Sequence, residues 1–311
     1  MEFKQLRAFL TVAETGNVTR AADMLHLVQP AVSRQLRLLE EDIGTPLFKR
    51  SRHGMVLTAA GQALVGYARR ALLELDRARA EVGGDAQSEV NGLVTLGLLP
   101  STIEMLSSAL VGAITAKYPG IRLRLTMGYA GTLLNWLESG EIDGALLYGA
   151  ESSPNIQTSP LIDEPLWVIA PASVQLRRKS PLPLASLVDQ KLVLPSAPHG
   201  LRTLVEHACA VSHVTLQIAA ETNALSVQRN LVLSGHGWTI LPPIAVADDL
   251  RARRLSGAPL TDPDITRTIV LALPTNRPSG HHVRCAVELL GQVAKEAIRS
   301  GTWLEGKWLG D

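Results

Sequence analysis

Residues 18–42 read Val-Thr-Arg-Ala-Ala-Asp-Met-Leu-His-Leu-Val-Gln-Pro-Ala-Val-Ser-Arg-Gln-Leu-Arg-Leu-Leu-Glu-Glu-Asp. Two helical patterns lie here, a few residues apart. In the first, Val18, Ala21, Ala22 and Leu25 share a face, with Asn17 placed as N-cap. In the second, Ala31, Val32, Leu36 and Leu39 point inward, and Pro30 occupies the first turn, where a missing N–H costs nothing. The outward side carries Gln29, Ser33, Arg34 and Arg37, with no acid before Glu40. A short helix, a tight turn and a second helix with a polar, basic leading edge have the shape of a helix-turn-helix DNA reader. Thr19 and Pro30 join those four side chains as candidate DNA contacts.

The flanks extend the same unit. Residues 3–15 predict an amphipathic helix with Phe3, Leu6, Phe9, Leu10 and Ala13 on its inner face, ended by Gly16. Beyond Gly44 and Pro46, the segment Pro46–Thr58 reads as a short hairpin around a Ser-Arg-His-Gly turn. Its tip bears Lys49, Arg50, Arg52 and His53 without an acid. Alone, that is a solvated charged turn; beside a helix-turn-helix it predicts a wing whose Arg50, Arg52 and His53 flank the groove.

Taken in order, these residues resemble a LysR-type transcriptional regulator. The run Leu6-Arg7-Ala8-Phe9, Ala21-Ala22, Leu25-His26, Gln29-Pro30-Ala31-Val32-Ser33, Leu39-Glu40, Gly44, Pro46-Leu47-Phe48, Arg50 and Leu57-Thr58-Ala59-Ala60-Gly61 carries the resemblance across residues 1–61. One position departs from the family pattern: Val28 stands where serine usually caps the recognition helix. Valine cannot cap, which removes about 1 kcal/mol from the helix start.

From Thr58 to about Gly83 the chain lacks proline, and Leu64, Ala68, Ala71, Leu75, Ala78 and Val82 recur in steps of 4, 3, 4, 3 and 4. That is an a/d seam, and its narrow, alanine-rich face predicts close pairing with a second helix. A single amphipathic helix lying on its own domain is the alternative. The resemblance implies a linker helix used for dimerisation. About 25 helical residues span roughly 37 Å, enough to hold two readers apart on a duplex.

Past a polar hinge at 83–91, strands and helices alternate: strands at 93–99, 121–127 and 144–148, helices at 102–117 and 131–139. This order predicts a parallel doubly wound sheet. A second set follows from Leu166, and a last strand at 265–273 with a helix at 279–299 returns the chain to the first subdomain. Two α/β lobes joined by crossovers near 161–165 and 262–268 resemble the family's effector domain, similar in architecture to periplasmic binding proteins. Ligands in such sheets collect at the carboxyl ends of strands. The loops there offer Ser101 and Thr102, Gly131 and Thr132, Tyr148, His199, Gly200 and Arg202, and Asn223. Ser101 and Glu104 also fit a capping box, and the resemblance implies that this loop serves the effector. His199 and Arg202 are the expected partners for a carboxylate or phosphate, although Arg202 fits a surface charge equally well.

Composition narrows the class further. The chain has 311 residues, 46% of them apolar, and a net charge of +1, so any DNA-binding surface is local. Cys209 and Cys285 lack metal-ligand spacing and read as reduced core thiols. The N-terminus has no secretory pattern and no run suits a membrane span, so a cytoplasmic location is expected. No nucleophile elbow, phosphate loop or paired catalytic carboxylates occur, which argues against an enzyme. His281-His282 lacks partners for a metal. The tail holds Trp303 and Trp308 and covers either a lobe or a dimer surface.

The expected fold is therefore an N-terminal all-α winged helix-turn-helix with a long linker helix, then a C-terminal α/β two-lobed effector domain. The expected domains are 1–58 for the reader, 59–90 for linker and hinge, and 91–311 for the effector domain. Lobe I takes 91–162 and 267–311, and lobe II takes 163–266. The expected function is regulation of transcription by a small anionic or polar effector, with no cofactor. Expected partners are double-stranded operator DNA, the effector, a second copy through the linker helix, and RNA polymerase. The resemblance implies a tetramer, and no membrane partner is expected. The alternative is a cytoplasmic small-molecule binding protein without transcriptional output.

Overall fold

The computed structural model describes residues 1–52, 54–82, 90–149, 153–277 and 279–310, with backbone alone for 76, 77 and 79–82. The chain divides into two compact units, Met1–Leu93 with Ser139–Glu141, and Val94–Glu138 with Ile142–Asp311.

The first unit opens with three helices, α1 (Phe3–Thr15), α2 (Val18–Leu25) and α3 (Gln29–Ile43). The Asn17 side chain accepts hydrogen bonds from the Thr19 and Arg20 N–H groups and so caps α2 as expected. Gly16 and Gly44 end α1 and α3 in the left-handed conformation. A hairpin, β1 (Phe48–Ser51) and β2 (Gly54–Leu57), leads into α4 (Ala59–Val82). Phe9, Leu39, Leu47 and Ala21 are fully buried in one core, and the Phe9 and Phe48 rings stand 5.4 Å apart. Phe3 departs from the expected inner face. It is 51% exposed, because the core is already closed by Leu6, Phe9 and Leu10 one turn further on.

The seam on α4 also departs from expectation. Ala68 is buried in the reader's own core, with Leu64 and Ala71 packed against it. Half of the heptad face is therefore spent within the chain, and Leu75 and Ala78 remain outside that core. The expected Gly83-Gly84 stop and the hinge at 83–89 lie outside the described residues.

In the second unit the elements run β3 (Asn91–Leu98), α5 (Ile103–Lys117), β4 (Gly120–Met127), α6 (Ala130–Ser139), β5 (Gly144–Tyr148), β6 (Ile156–Pro165) and β7 (Trp167–Pro171). Next come β8 (Leu182–Pro183), β9 (Lys191–Leu194), α7 (Gly200–Val211), β10 (Gln217–Glu221), α8 (Leu225–Leu233), β11 (Thr239–Leu241) and α9 (Ala247–Arg251). The chain closes with β12 (Leu255–Thr261), β13 (Thr266–Pro274), α10 (His281–Arg299) and β14 (Lys307–Trp308). Lobe I is a six-stranded sheet in the order β14-β6-β13-β5-β3-β4. Lobe II combines the sheet β11-β7-β12-β8 with the pair β10-β9.

The lobe I sheet is mixed, not parallel. β3 and β5 are parallel, but β13 runs antiparallel to both β5 and β6. The returning strand enters from the opposite side after lobe II, which reverses its direction. β6 was not expected as a strand, and it pairs with β13 from Ile156 opposite Pro274 to Pro165 opposite Thr266. Leu166 N–H donates to the Ile265 carbonyl at 2.7 Å, so both passages between lobes lie side by side. The tail covers a lobe: β14 adds an edge strand to β6, and Trp303 is fully buried. Among the described residues no helix is long and apolar enough to cross a membrane.

Candidate functional site

The reader presents one polar face. Gln29, Arg34 and Arg37 are exposed on α3 and Ser33 is half-buried beside them. The Gln29 amide donates to Ser33 Oγ at 2.9 Å, which pre-positions both side chains on the same edge. Arg37 lies 3.4 Å from Glu41, an exposed pair whose small interaction energy leaves the guanidinium available. Thr19 and Pro30 are exposed at the two helix starts.

Glu40, the first acid on α3, turns away from that face. Its carboxylate accepts from the Leu47 N–H at 2.7 Å and the Phe48 N–H at 3.2 Å, which ties the wing to the recognition helix. Met55 N–H donates to the Gly16 carbonyl at 2.7 Å, and a Cβ at Gly54 would collide with that carbonyl. The wing is thus fixed against both α1 and α3. Lys49, Arg50 and Arg52 are exposed on it, and His53 lies outside the described residues. Val28 makes no side-chain cap at the start of α3.

The second candidate site lies between the lobes of the second unit. Ser101 follows β3, Tyr129 follows β4, Tyr148 ends β5, His199 precedes α7, Asn223 follows β10 and Arg267 lies on β13. Together with apolar side chains such as Leu99 and Leu241 they enclose about 30 Å³. That holds a water or two. The Tyr129 hydroxyl donates to the Asn223 carbonyl and so latches one lobe to the other. Asn223 Oδ1 accepts from Ser196 N–H at 3.0 Å, and the Tyr129 and His199 rings meet edge to face at 4.9 Å.

Arg267 organises the floor. Its Nε donates to Glu164 Oε1 at 2.6 Å, its Nη2 donates to Ser101 Oγ at 2.9 Å, and its guanidinium stands 4.5 Å from the Tyr148 ring centre. Arg267 and Glu164 side chains are 4% and 0% exposed. Trp303 Nε1 donates to the second Glu164 oxygen at 2.9 Å. The carboxylate is therefore filled from both sides, by the cleft and by the tail. Burial pushes the Tyr148 hydroxyl up although Arg267 pulls it down, and burial likewise raises Tyr129.

Several expected ligand residues are placed otherwise. No capping box forms at α5: Ser101 faces Arg267, Thr102 is the N-cap residue, and its buried hydroxyl donates to the Leu99 carbonyl at 3.2 Å. Gly131 and Thr132 are exposed on α6, away from the cleft lining. Arg202 is turned to Glu206 and Glu221, each at 2.6 Å, and to the Pro195 carbonyl at 3.1 Å. His199 does line the cleft, but as a neutral ring. Burial and the nearby Arg267 push its pKa down to about 4, and its Nδ1 accepts from Leu201 N–H at 3.2 Å. Gly200 serves by smallness, since a Cβ there would stand 2.9 Å from the Tyr148 ring. Tyr148 and Asn223 line the cleft as expected from their positions. Arg267, Glu164 and Gln228 were not singled out in the sequence. The available signal for the first two was opposite charge on the two lobe crossovers, with Asp163 and Glu164 on one and Arg267, the single cation, on the other.

Comparison with known proteins places both sites in a family. Residues 3–62 match the bacterial regulatory helix-turn-helix proteins of the lysR family, and residues 87–295 match the LysR substrate binding domain. The regulator BbuR of Bordetella bronchiseptica is 30% identical over 298 residues, 96% of this chain and 91% of its own. The dual regulator OxyR of Escherichia coli is 28% identical over 300 residues, 96% of this chain and 95% of its own. The crystal structure of full-length CbnR with its target DNA shares 25% identity and a TM-score of 0.71, covering 94% of this chain and 100% of that one. The chain belongs to the LysR family of DNA-binding transcriptional regulators, with an N-terminal helix-turn-helix domain and a C-terminal effector-binding domain.

Proposed function

We propose that the chain acts in the cytoplasm as a homodimer joined through α4, and as a tetramer built from such dimers. Each reader sets α3 in the major groove of one operator half-site. Gln29, Ser33, Arg34 and Arg37 face base edges and phosphates there, and Thr19 and Pro30 bear on the backbone at the helix starts. Arg50, Arg52 and His53 hold the flanking phosphates or minor groove. The observation that carries this reading is the polar face of α3: its first acid, Glu40, is turned into the wing and its arginines are exposed. RNA polymerase is the further partner of the bound assembly.

The effector is a compact polar molecule taken between the lobes, with no resident cofactor and no catalysis. His199 is neutral and Arg202 is occupied, so among the described residues Arg267 is the one cation on the cleft wall, and Glu164 already matches it. Such a wall suits an uncharged ligand, or one with a single negative group reaching Arg267 and Ser101, better than a multiply charged one. OxyR relatives are called hydrogen peroxide-inducible genes activators. Peroxide is not the effector proposed here, because burial, and next Glu206, raise the Cys209 thiol and disfavour the reactive thiolate.

Binding to the promoter region beside the protein's own gene, measured by gel shift across a salt series, tests the reading. The expected outcome is affinity that falls with salt, and Arg34→Ala weakening it by about 1–3 kcal/mol with the fold intact. Salt-independent binding, or an Arg34→Ala protein that binds as before, would overturn the assignment.

A further inference from the structure

A second concavity of the effector domain is larger than the cleft between the lobes. A concavity of about 740 Å³ lies on lobe II, walled by β7 and β12, the segment after β7, the end of α9 and the tail. It shares no lining residue with the cleft, which encloses about 30 Å³. Its volume falls in the ordinary range of small-molecule sites, roughly 300–1,000 Å³.

Charge distinguishes it. Arg177, Arg178, Arg251 and Arg253 all line it, against one acid, Glu305. Glu305 is taken by Arg178 at 2.6 Å, and Arg251 is paired with Asp248 at 3.0 Å, outside the lining. Among the described residues the Arg177 and Arg253 side chains have no ionic or hydrogen-bonding partner, and both are exposed. Two unmatched guanidiniums thus open on one cavity, each with five N–H donors in a planar fork. The floor includes Trp167, which is 5% exposed and whose indole N–H is buried without an acceptor, next to Leu250 and Leu255. A buried donor without a partner is uncommon in a finished core and calls for an explanation at the site itself.

We propose that this concavity is a second ligand site, for a small molecule bearing two or more anionic groups. A monoanion satisfies one guanidinium and leaves the other unmatched, whereas a diphosphate or a polycarboxylate has an anionic group to offer each. The concave shape suits a small molecule better than the flat acidic surface of another protein. The site also reaches the cleft. Leu304 and Glu305 line it, and the adjacent Trp303 donates to Glu164, the carboxylate that holds Arg267 in the cleft. An anion that takes Arg178 from Glu305 therefore acts on the stretch of tail that positions the cleft arginine.

Isothermal titration of the full-length protein with inorganic pyrophosphate, and separately with citrate, tests the proposal at low and physiological salt. One equivalent per chain is expected to bind for at least one probe, and acetate at equal ionic strength should not displace it. Which probe binds separates a phosphate ligand from a carboxylate one. Arg177→Gln with Arg253→Gln should weaken binding at least about tenfold without moving the thermal midpoint, since neither side chain is packed. Ser101→Ala, in the cleft, should leave it unchanged. The proposal is overturned if neither probe gives a saturable heat, if the double variant binds like the parent, or if acetate competes. It is equally overturned if Ser101→Ala, rather than the arginine pair, abolishes binding.

Discussion

Arg267 carries a charge into the nearly buried floor of the cleft, and its energy depends on Glu164. A buried ion pair gains little over a well-packed apolar pair, but removing one partner strands the other. Glu164→Gln should therefore cost about 3–5 kcal/mol and lower the unfolding midpoint of the effector domain. Glu164→Leu combined with Arg267→Met should recover most of that loss in the same calorimetric measurement. His199 gives a pH signature. Its folded pKa, pushed down to about 4, lies below the ordinary value near 6.5. Between those values the unfolded chain holds the extra proton, so stability is full above about pH 6.5 and declines as pH falls toward 4. The midpoint difference between the parent and His199→Gln should shrink over that window, and a difference independent of pH would contradict the buried neutral ring. At this scale the sequence was only partly legible. Position at strand ends pointed to Ser101, Tyr148, His199 and Asn223, but not to which way Arg202 would turn, because its acids sit on α7 and β10 at positions 206 and 221.

Helices were the elements that could be read directly, and α3 shows both why and at what cost. Val32, Leu36 and Leu39 repeat on one buried stripe, so periodicity alone locates the helix. Its start is weak, because Val28 is 69% exposed and its side chain offers no acceptor, so its carbonyl alone takes the Ala31 N–H at 2.9 Å. Val28→Ser should add about 1 kcal/mol to reader stability, seen as a higher urea midpoint and slower amide exchange in the first turn of α3. No change in either would mean that the Val28 carbonyl and solvent already satisfy those N–H groups. β6 shows the opposite case. Its sequence, Ile-Gln-Thr-Ser-Pro-Leu-Ile-Asp-Glu-Pro, contains two prolines and two acids, which argue against a strand between two others. The ladder tolerates them because a register shift between Ile269 and Val270 falls beside Pro160 and Pro165 ends the strand. Local propensity cannot register a pairing partner a hundred residues away, so neither this strand nor the antiparallel return of β13 is legible in the local sequence.

In the proposed dimer α4 serves two surfaces, and the heptad pattern does not distinguish them. Leu64, Ala68 and Ala71 continue the seam but belong to the reader's core, so substitutions there would damage the fold before they reported on association. Leu75 and Ala78 continue the same stripe one and two turns later, outside that core, with Leu75 half-buried and Ala78 exposed. A stripe that leaves its own domain while keeping its period is what a partner helix requires. Leu75→Glu with Ala78→Glu places like charges opposite each other in such a pair, while the isolated helix loses little. Sedimentation should then show the double variant dissociating to a smaller species at concentrations where the parent remains associated. Operator affinity should fall by at least about tenfold, because two linked readers gain from effective concentration and a single one does not. If the variant sediments and binds like the parent, the distal stripe is not the dimer contact and the spacing of readers must be set elsewhere.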